Sequence, residues 1–200
     1  MNILVCGDSI TQGFLDTEMG GWTNRLHVHL MSENERTDWK SNYILFNLGV
    51  SGDCTNRLLS RFDSEAKARL KTIDTNKNAV IFAIGVNDTQ RFVETGNIKT
   101  PIEQFESNLK QLHSTAIQYA DTIIFVGLLP VLEDMLQPMP WANDRSHLSA
   151  DVSAYDNVIE KFSTETGCLF IQTQDIFGDK QEDYLPDGIH PNTKGARIVV

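Results

Sequence analysis

Two hundred residues are ample for one sizeable hydrophobic core, and a single domain over 1–200 is expected. Apolar residues make up 40% of the chain and charged residues 22%, ordinary globular values that argue against wholesale disorder. The formal net charge of −10 weighs against nucleic acid and anionic membrane surfaces as partners.

The chain begins directly on an apolar run, with no charged leader, and no stretch of about 18 apolar residues is present to span a bilayer. A cytoplasmic protein without membrane insertion is therefore expected. The three cysteines, Cys6, Cys54 and Cys168, are odd in number and lack CxxC spacing, so free thiols are expected rather than a disulfide framework.

Asn2 to Cys6 reads as a buried strand that breaks at Gly7-Asp8-Ser9. Trp22, Leu26 and Leu30 recur at helical spacing and predict the first long helix. Tyr43 to Leu48 predicts a second strand, running into the small-residue turn Asn47-Leu48-Gly49-Val50-Ser51-Gly52. Leu58, Leu59, Phe62, Ala66 and Leu70 mark one face of an amphipathic helix. Ala79 to Ile84 is a continuous apolar run, as in a strand buried on both faces, and stops at Gly85-Val86-Asn87-Asp88.

The next helix carries a clear start signal, with Thr100 as cap, Pro101 in first position and Glu103 three residues after the cap. Its core stripe is Ile102, Phe105, Leu109, Leu112, Ala116 and Ile117. Thr122 to Leu129 predicts a fourth strand. The segment 130–147 is rich in proline, methionine and tryptophan and reads as a lid or pocket loop. A helix from about Ala150 to Thr166, stopped by Gly167, precedes a fifth strand, Cys168 to Gln172. Strands alternating with helices predict a three-layer α/β/α sandwich with a five-stranded parallel sheet, in the flavodoxin-like order 2-1-3-4-5.

In such a sheet, ligands bind beyond the carboxyl ends of the strands. The turns after strands one, two and three fall there, and Asp187-Gly188-Ile189-His190 follows strand five. Together they supply the parts of an acyl-transfer site. Ser9 is the candidate nucleophile, His190 the general base, and Asp187 the acceptor that orients the imidazole. The Ser9 N–H, the Gly52 N–H and the Asn87 side-chain amide are the candidate oxyanion donors.

These blocks resemble those of the SGNH (GDSL) hydrolases. Gly7-Asp8-Ser9 matches that family's first block, Gly52 its second, Gly85-Val86-Asn87-Asp88 its third, and Asp187-Gly188-Ile189-His190-Pro191 its last, in the family's order along nearly the whole chain. The resemblance implies a flavodoxin-like fold, ester or thioester hydrolysis, and neither metal nor organic cofactor. It gives Ser9, Gly52, Asn87, His190 and Asp187 the roles just argued. Family members often carry a longer closing helix than the one expected here, Thr193 to Val200.

The expected function is a serine esterase acting on a small-molecule acyl ester or thioester. A carbohydrate O-deacetylase or an acyltransferase would use the same triad. The reading from a different class is a non-catalytic flavodoxin-like binding module, against which stands the absence of GxGxxG and GxxxxGK[ST]. Substrate contacts are expected from Asp8, Val86, Asp88, Leu136, Met139 and Trp141, although Asp8 and Asp88 also read as formers of their own turns. The apolar segment 130–147 is alternatively a homodimer contact or simple packing against the following helix. His27 and His29 lie two apart on a helix and point to different faces, a poor metal pair. His113 reads as a surface residue, and His147 as the rival base.

Overall fold

A computed structural model describes residues 1–70 and 77–199. Its strands are β1 (Asn2–Gly7), β2 (Ile44–Gly49), β3 (Asn78–Ala83), β4 (Arg91–Phe92), β5 (Thr122–Val126), β6 (Arg145–Ser146) and β7 (Leu169–Ile171). Its helices are α1 (Ser9–Gln12), α2 (Trp22–Arg36), α3 (Thr55–Arg69), α4 (Ile102–Ala116), α5 (Ser149–Thr166), α6 (Gln181–Tyr184) and α7 (Thr193–Ile198).

Five strands form one parallel sheet in the order β2-β1-β3-β5-β7. Leaving aside the two-residue strands β4 and β6, which pair with each other antiparallel, this is the expected order 2-1-3-4-5. Side chains alternate across a strand, and the two faces of β1 show the consequence. Leu4 and Cys6 join Phe62, Phe105, Leu109, Tyr155 and Phe162 in the larger core cluster, under α3, α4 and α5. Ile3 and Val5 join Trp22, with Leu26 and Leu30 of α2 packed against them, on the other face. The sheet is thus covered on both sides, and its carboxyl edge carries the polar turns.

Several local expectations are corrected. Thr100 does not cap α4. Pro101 occupies the cap position and no side chain caps the helix there, because Thr100 is drawn inward, its N–H donating to the Asp88 carbonyl at 3.2 Å and its own carbonyl accepting from the Tyr155 hydroxyl. Ile117 is 58% exposed, since the inward stripe of α4 runs Phe105, Leu109, Leu112, Ala116 and the next residue turns away from it. β5 ends at Val126 rather than Leu129, where the Leu128 N–H leaves the ladder for the Asp156 carboxylate at 2.7 Å.

β7 spans only Leu169–Ile171, at the sheet edge, and both of those side chains are exposed, so it is not a strand buried on both faces. Within 130–147, Leu136 and Met139 belong to the main core. The closing helix ends at Ile198, and Val200 lies outside the described residues.

The cysteines are free. Cys6 is fully buried and burial pushes its thiol up to about 12, so it packs as a small apolar side chain.

Candidate active site

The turn between β1 and α1 is closed by the absence of a side chain. A Cβ on Gly7 would stand 2.0 Å from Thr11 Oγ1 and 2.3 Å from the Ala83 carbonyl oxygen. Asp8 then caps α1, its carboxylate accepting the Ile10 N–H at 2.9 Å. Ser9 is the first residue of that helix. Burial pushes the Asp8 carboxyl up to about 7, against the pull of the Ile10 N–H and of His190.

At the other end of the chain, Asp187 to His190 folds on itself. Asp187 Oδ1 accepts the backbone N–H groups of Ile189 and His190 at 3.1 and 2.8 Å. Gly188, at φ 88°, supplies the left-handed backbone that lets this happen. The second carboxylate oxygen, Asp187 Oδ2, lies 2.7 Å from His190 Nδ1. His190 Nε2 lies 2.8 Å from Ser9 Oγ. Burial works to raise the Asp187 carboxyl, but the bonds from the His190 ring and backbone outweigh it and hold the group below the ordinary carboxylate range. Hydroxyl, imidazole and carboxylate thus stand in one hydrogen-bonded line.

Head and tail are tied by a buried carboxylate that sequence reasoning passed over. Asp16, in the loop after α1, accepts from Gly21 N–H at 3.0 Å, from Arg25 Nε at 3.0 Å and from the Thr193 hydroxyl at 2.9 Å. Burial alone would raise Asp16, yet these donors and the Glu18 N–H bring it down to about 2. Thr193 opens α7, three residues after His190, so the network fastens the imidazole's anchor to the loop following Ser9. Nothing in sequence marks the tie from Asp16 to α7, because Thr193 lies at the other end of the chain.

The three candidate oxyanion donors are differently supported. Among the described residues, neither the Ser9 N–H nor the Gly52 N–H is taken up by another group. Gly52 has φ 77°, and the Ser51 N–H beside it donates to Gln12 Oε1 at 3.1 Å, which holds that turn against α1. Asn87 is nearly buried. One of its amide hydrogens goes to the Asp53 carbonyl at 3.0 Å, and its Oδ1 accepts from Gln90 Nε2 at 2.9 Å.

The expected substrate contacts divide. Trp141 is about half exposed, with its ring centroid 5.9 Å from that of His190. Phe14, not singled out from sequence, is equally exposed and meets the His190 ring edge-on at 4.8 Å. Leu136, Met139 and Val86 are corrected: all three are buried in the main core, drawn in by their apolar surface, and present nothing to a substrate. Asp88 is also fully buried. It accepts from the Thr55 N–H at 2.9 Å and the Thr55 hydroxyl at 2.6 Å and so orders its own loop, while burial raises its carboxyl despite those bonds. Asp8 likewise serves its own turn.

The rival base, His147, is buried beneath the surface with Nδ1 3.1 Å from Thr89 Oγ1. Burial, together with the nearby charge of Lys99 and His190, lowers it to about 4. It makes no hydrogen bond to Ser9. His27 and His29 are exposed on α2, and His113 is half-buried with its ring edge-on to Phe162. Among the described residues, no group of three or more His, Cys, Asp or Glu side chains is arranged to hold a metal ion.

Residues 5–198 match the profile of the GDSL-like lipase/acylhydrolase family. The chain belongs to that family. As a GDSL-type protein it is an ester hydrolase, and its relatives agree in kind. An acetylxylan esterase of Geobacillus stearothermophilus is 21% identical over 164 residues, covering 76% of this chain and 67% of that protein. The solved structure of that organism's acetylxylan esterase Axe2 superposes with a TM-score of 0.72 at 20% identity, over 99% of this chain and 90% of the other. A GDSL-family lipolytic protein of Veillonella parvula gives a TM-score of 0.72 at 15% identity, over 100% and 93%. Two further Axe2 structures are of catalytic mutants, in which a serine and a histidine respectively are replaced by alanine.

Proposed function

We propose that this GDSL hydrolase is a serine esterase that cleaves small carboxylic esters through an acyl-enzyme on Ser9. The observation that carries the reading is the unbroken line from Ser9 Oγ to His190 Nε2 at 2.8 Å and from His190 Nδ1 to Asp187 Oδ2 at 2.7 Å. It is a working geometry for general-base catalysis, which requires heavy atoms about 2.6–3.2 Å apart.

His190 takes the hydroxyl proton as Ser9 Oγ attacks the ester carbonyl carbon. The carbonyl oxygen becomes an oxyanion, received by the Ser9 N–H, the Gly52 N–H and the free hydrogen of the Asn87 amide. Collapse breaks the bond to the alcohol, which leaves with the proton from His190. Water then enters, gives its proton to His190 and attacks the acyl-enzyme, and the carboxylic acid departs as Ser9 recovers its hydrogen. Asp187, held ionised, keeps the imidazole in the required tautomer and stabilises its charged form.

A second reading makes the substrate an O-acetylated carbohydrate. It is favoured by the acetylxylan esterases among the relatives and by the two half-exposed aromatic rings, Phe14 and Trp141, beside His190. Flat apolar faces with polar surroundings suit a sugar ring. The test is turnover of p-nitrophenyl acetate and of acetylated xylo-oligosaccharides by wild type and Ser9→Ala. Both substrates should be hydrolysed, and Ser9→Ala should lose several orders of magnitude on each. Equal rates in the two proteins would remove Ser9 from the chemistry. Turnover of the aryl ester alone would remove the carbohydrate.

A further inference from the structure

The Asn87 carboxamide works as an oxyanion donor only if its NH2 end, not its oxygen, is turned toward the reacting carbonyl. We infer that Gln90 is the positioning residue that sets this orientation, and that Lys99 and Arg145 set it for Gln90. The inference rests on the reading of Asn87 as an oxyanion donor.

Gln90 is nearly buried. Its Oε1 accepts from Arg145 Nη1 at 3.0 Å and from Lys99 Nζ at 3.3 Å. Both donors are cationic, so only the oxygen end of the Gln90 amide can lie there. Its Nε2 must then point the other way, where it donates to Asn87 Oδ1 at 2.9 Å. Asn87 is left with its NH2 on the far side, one hydrogen on the Asp53 carbonyl at 3.0 Å and one unassigned. A flip of Asn87 would set two N–H groups against each other at Gln90 and two oxygens against each other at Asp53. Two fixed charges therefore dictate the sense of a chain of two amides.

The fold gathers these groups from separate segments. The Lys99 N–H donates to the Gln90 carbonyl at 2.7 Å, so the loop returns Lys99 beside Gln90. The short β4–β6 pairing, Phe92 opposite Arg145, brings the guanidinium in from the other side. That gives a further purpose to a two-stranded sheet separate from the parallel one. Burial, and after it the charge of Arg145, lowers the Lys99 ammonium, while the Asp88 carboxylate acts the other way. Its one side-chain hydrogen bond among the described residues goes to the Gln90 oxygen. In a chain of hydrogen bonds each donor strengthens the next. The pull of the cations makes Gln90 a better donor to Asn87 and Asn87 a better donor to a developing negative oxygen.

The test is steady-state hydrolysis of p-nitrophenyl acetate by Gln90→Glu, Lys99→Met, Asn87→Ala and the double variant Asn87→Ala/Gln90→Glu, with thermal melting as a check on folding. A glutamate satisfies both cations but has no N–H for Asn87. Its kcat should fall about tenfold or more, less than the ~10²–10³ expected for removing the donor itself, with KM within about twofold. Lys99→Met should fall by a smaller factor in kcat and carries the test if Gln90→Glu does not fold. The double variant should be no slower than Asn87→Ala.

If Asn87→Ala keeps wild-type kcat, the oxyanion reading itself is wrong. If Asn87→Ala is slow while Gln90→Glu or Lys99→Met turns over at the wild-type rate, the positioning role is wrong and the donor stands. Multiplicative losses in the double variant would likewise overturn it, because they would place Gln90 in a separate task.

Discussion

Two short loops at the same sheet edge, Asp187–His190 and Val86–Gln90, hold their proposed functional groups by opposite means. The first is self-contained: one carboxylate binds the backbone N–H groups of Ile189 and His190 and the imidazole three residues on. The second depends on the rest of the molecule. Asn87 leans on Asp53, Gln90 on Arg145 and Lys99, and Asp88 on Thr55. A base needs one orientation fixed against one partner, which a tight turn can supply. An oxyanion donor must be aimed at an oxygen that arrives only with the substrate, so groups of the surrounding chain have to hold its direction beforehand.

Breaking the local loop should cost most. His190→Ala should lower kcat for an acetyl ester by several orders of magnitude, as much as Ser9→Ala, and the double variant should be hardly slower than either. Stopped assays of the three proteins measure this, and a multiplicative loss would mean that the two side chains act separately. Asp187→Asn comes next, at about 10⁴ in kcat, since an amide can hold the wrong tautomer.

In the dispersed loop, Asn87→Ala should cost about 10²–10³, with most of the change in kcat. A loss as large as that of His190→Ala would erase the distinction between the two loops.

The smallest effect concerns stability and contrasts two aspartates. Asp187 lies below the ordinary carboxylate range, so its contribution is present at neutral pH and is lost as pH falls through that depressed value. Asp8 has the opposite sign. It keeps its proton in the folded state up to about 7, whereas the unfolded chain releases it near 4. Stability therefore declines as pH rises between those values and is level above them. Asp8→Asn should remove that decline and gain on wild type by on the order of a few kcal/mol at pH 8. Urea melts of both proteins at pH 5 and pH 8 check it, and parallel curves would count against a protonated Asp8.

Legibility followed the same division. Ser9 could be read because it follows Gly7 at a strand end, and Asp187 and His190 because their three-residue spacing around Gly188 is itself a local constraint. The same was true of the sheet order, which right-handed crossovers leave little freedom to vary. Asp16, Gln90 and Phe14 carry no local mark. Each has at least one partner far along the chain: Thr193 for Asp16, Arg145 for Gln90 and His190 for Phe14. Leu136 and Met139 were misread for a related reason. An apolar side chain in an irregular loop looks the same in sequence whether it lines a pocket or plugs the core.

What the amino-acid order determined by itself was the alternation of strands and helices, the turns at the sheet edge and the pairing of Asp187 with His190, all set by interactions within a few residues. The tertiary structure decided the 2.8 Å approach of Ser9 to His190, the anchoring of α7 through Asp16 and the sense of the Asn87 amide. Those distances arise between segments that only the folded sheet brings together, and no local preference encodes them.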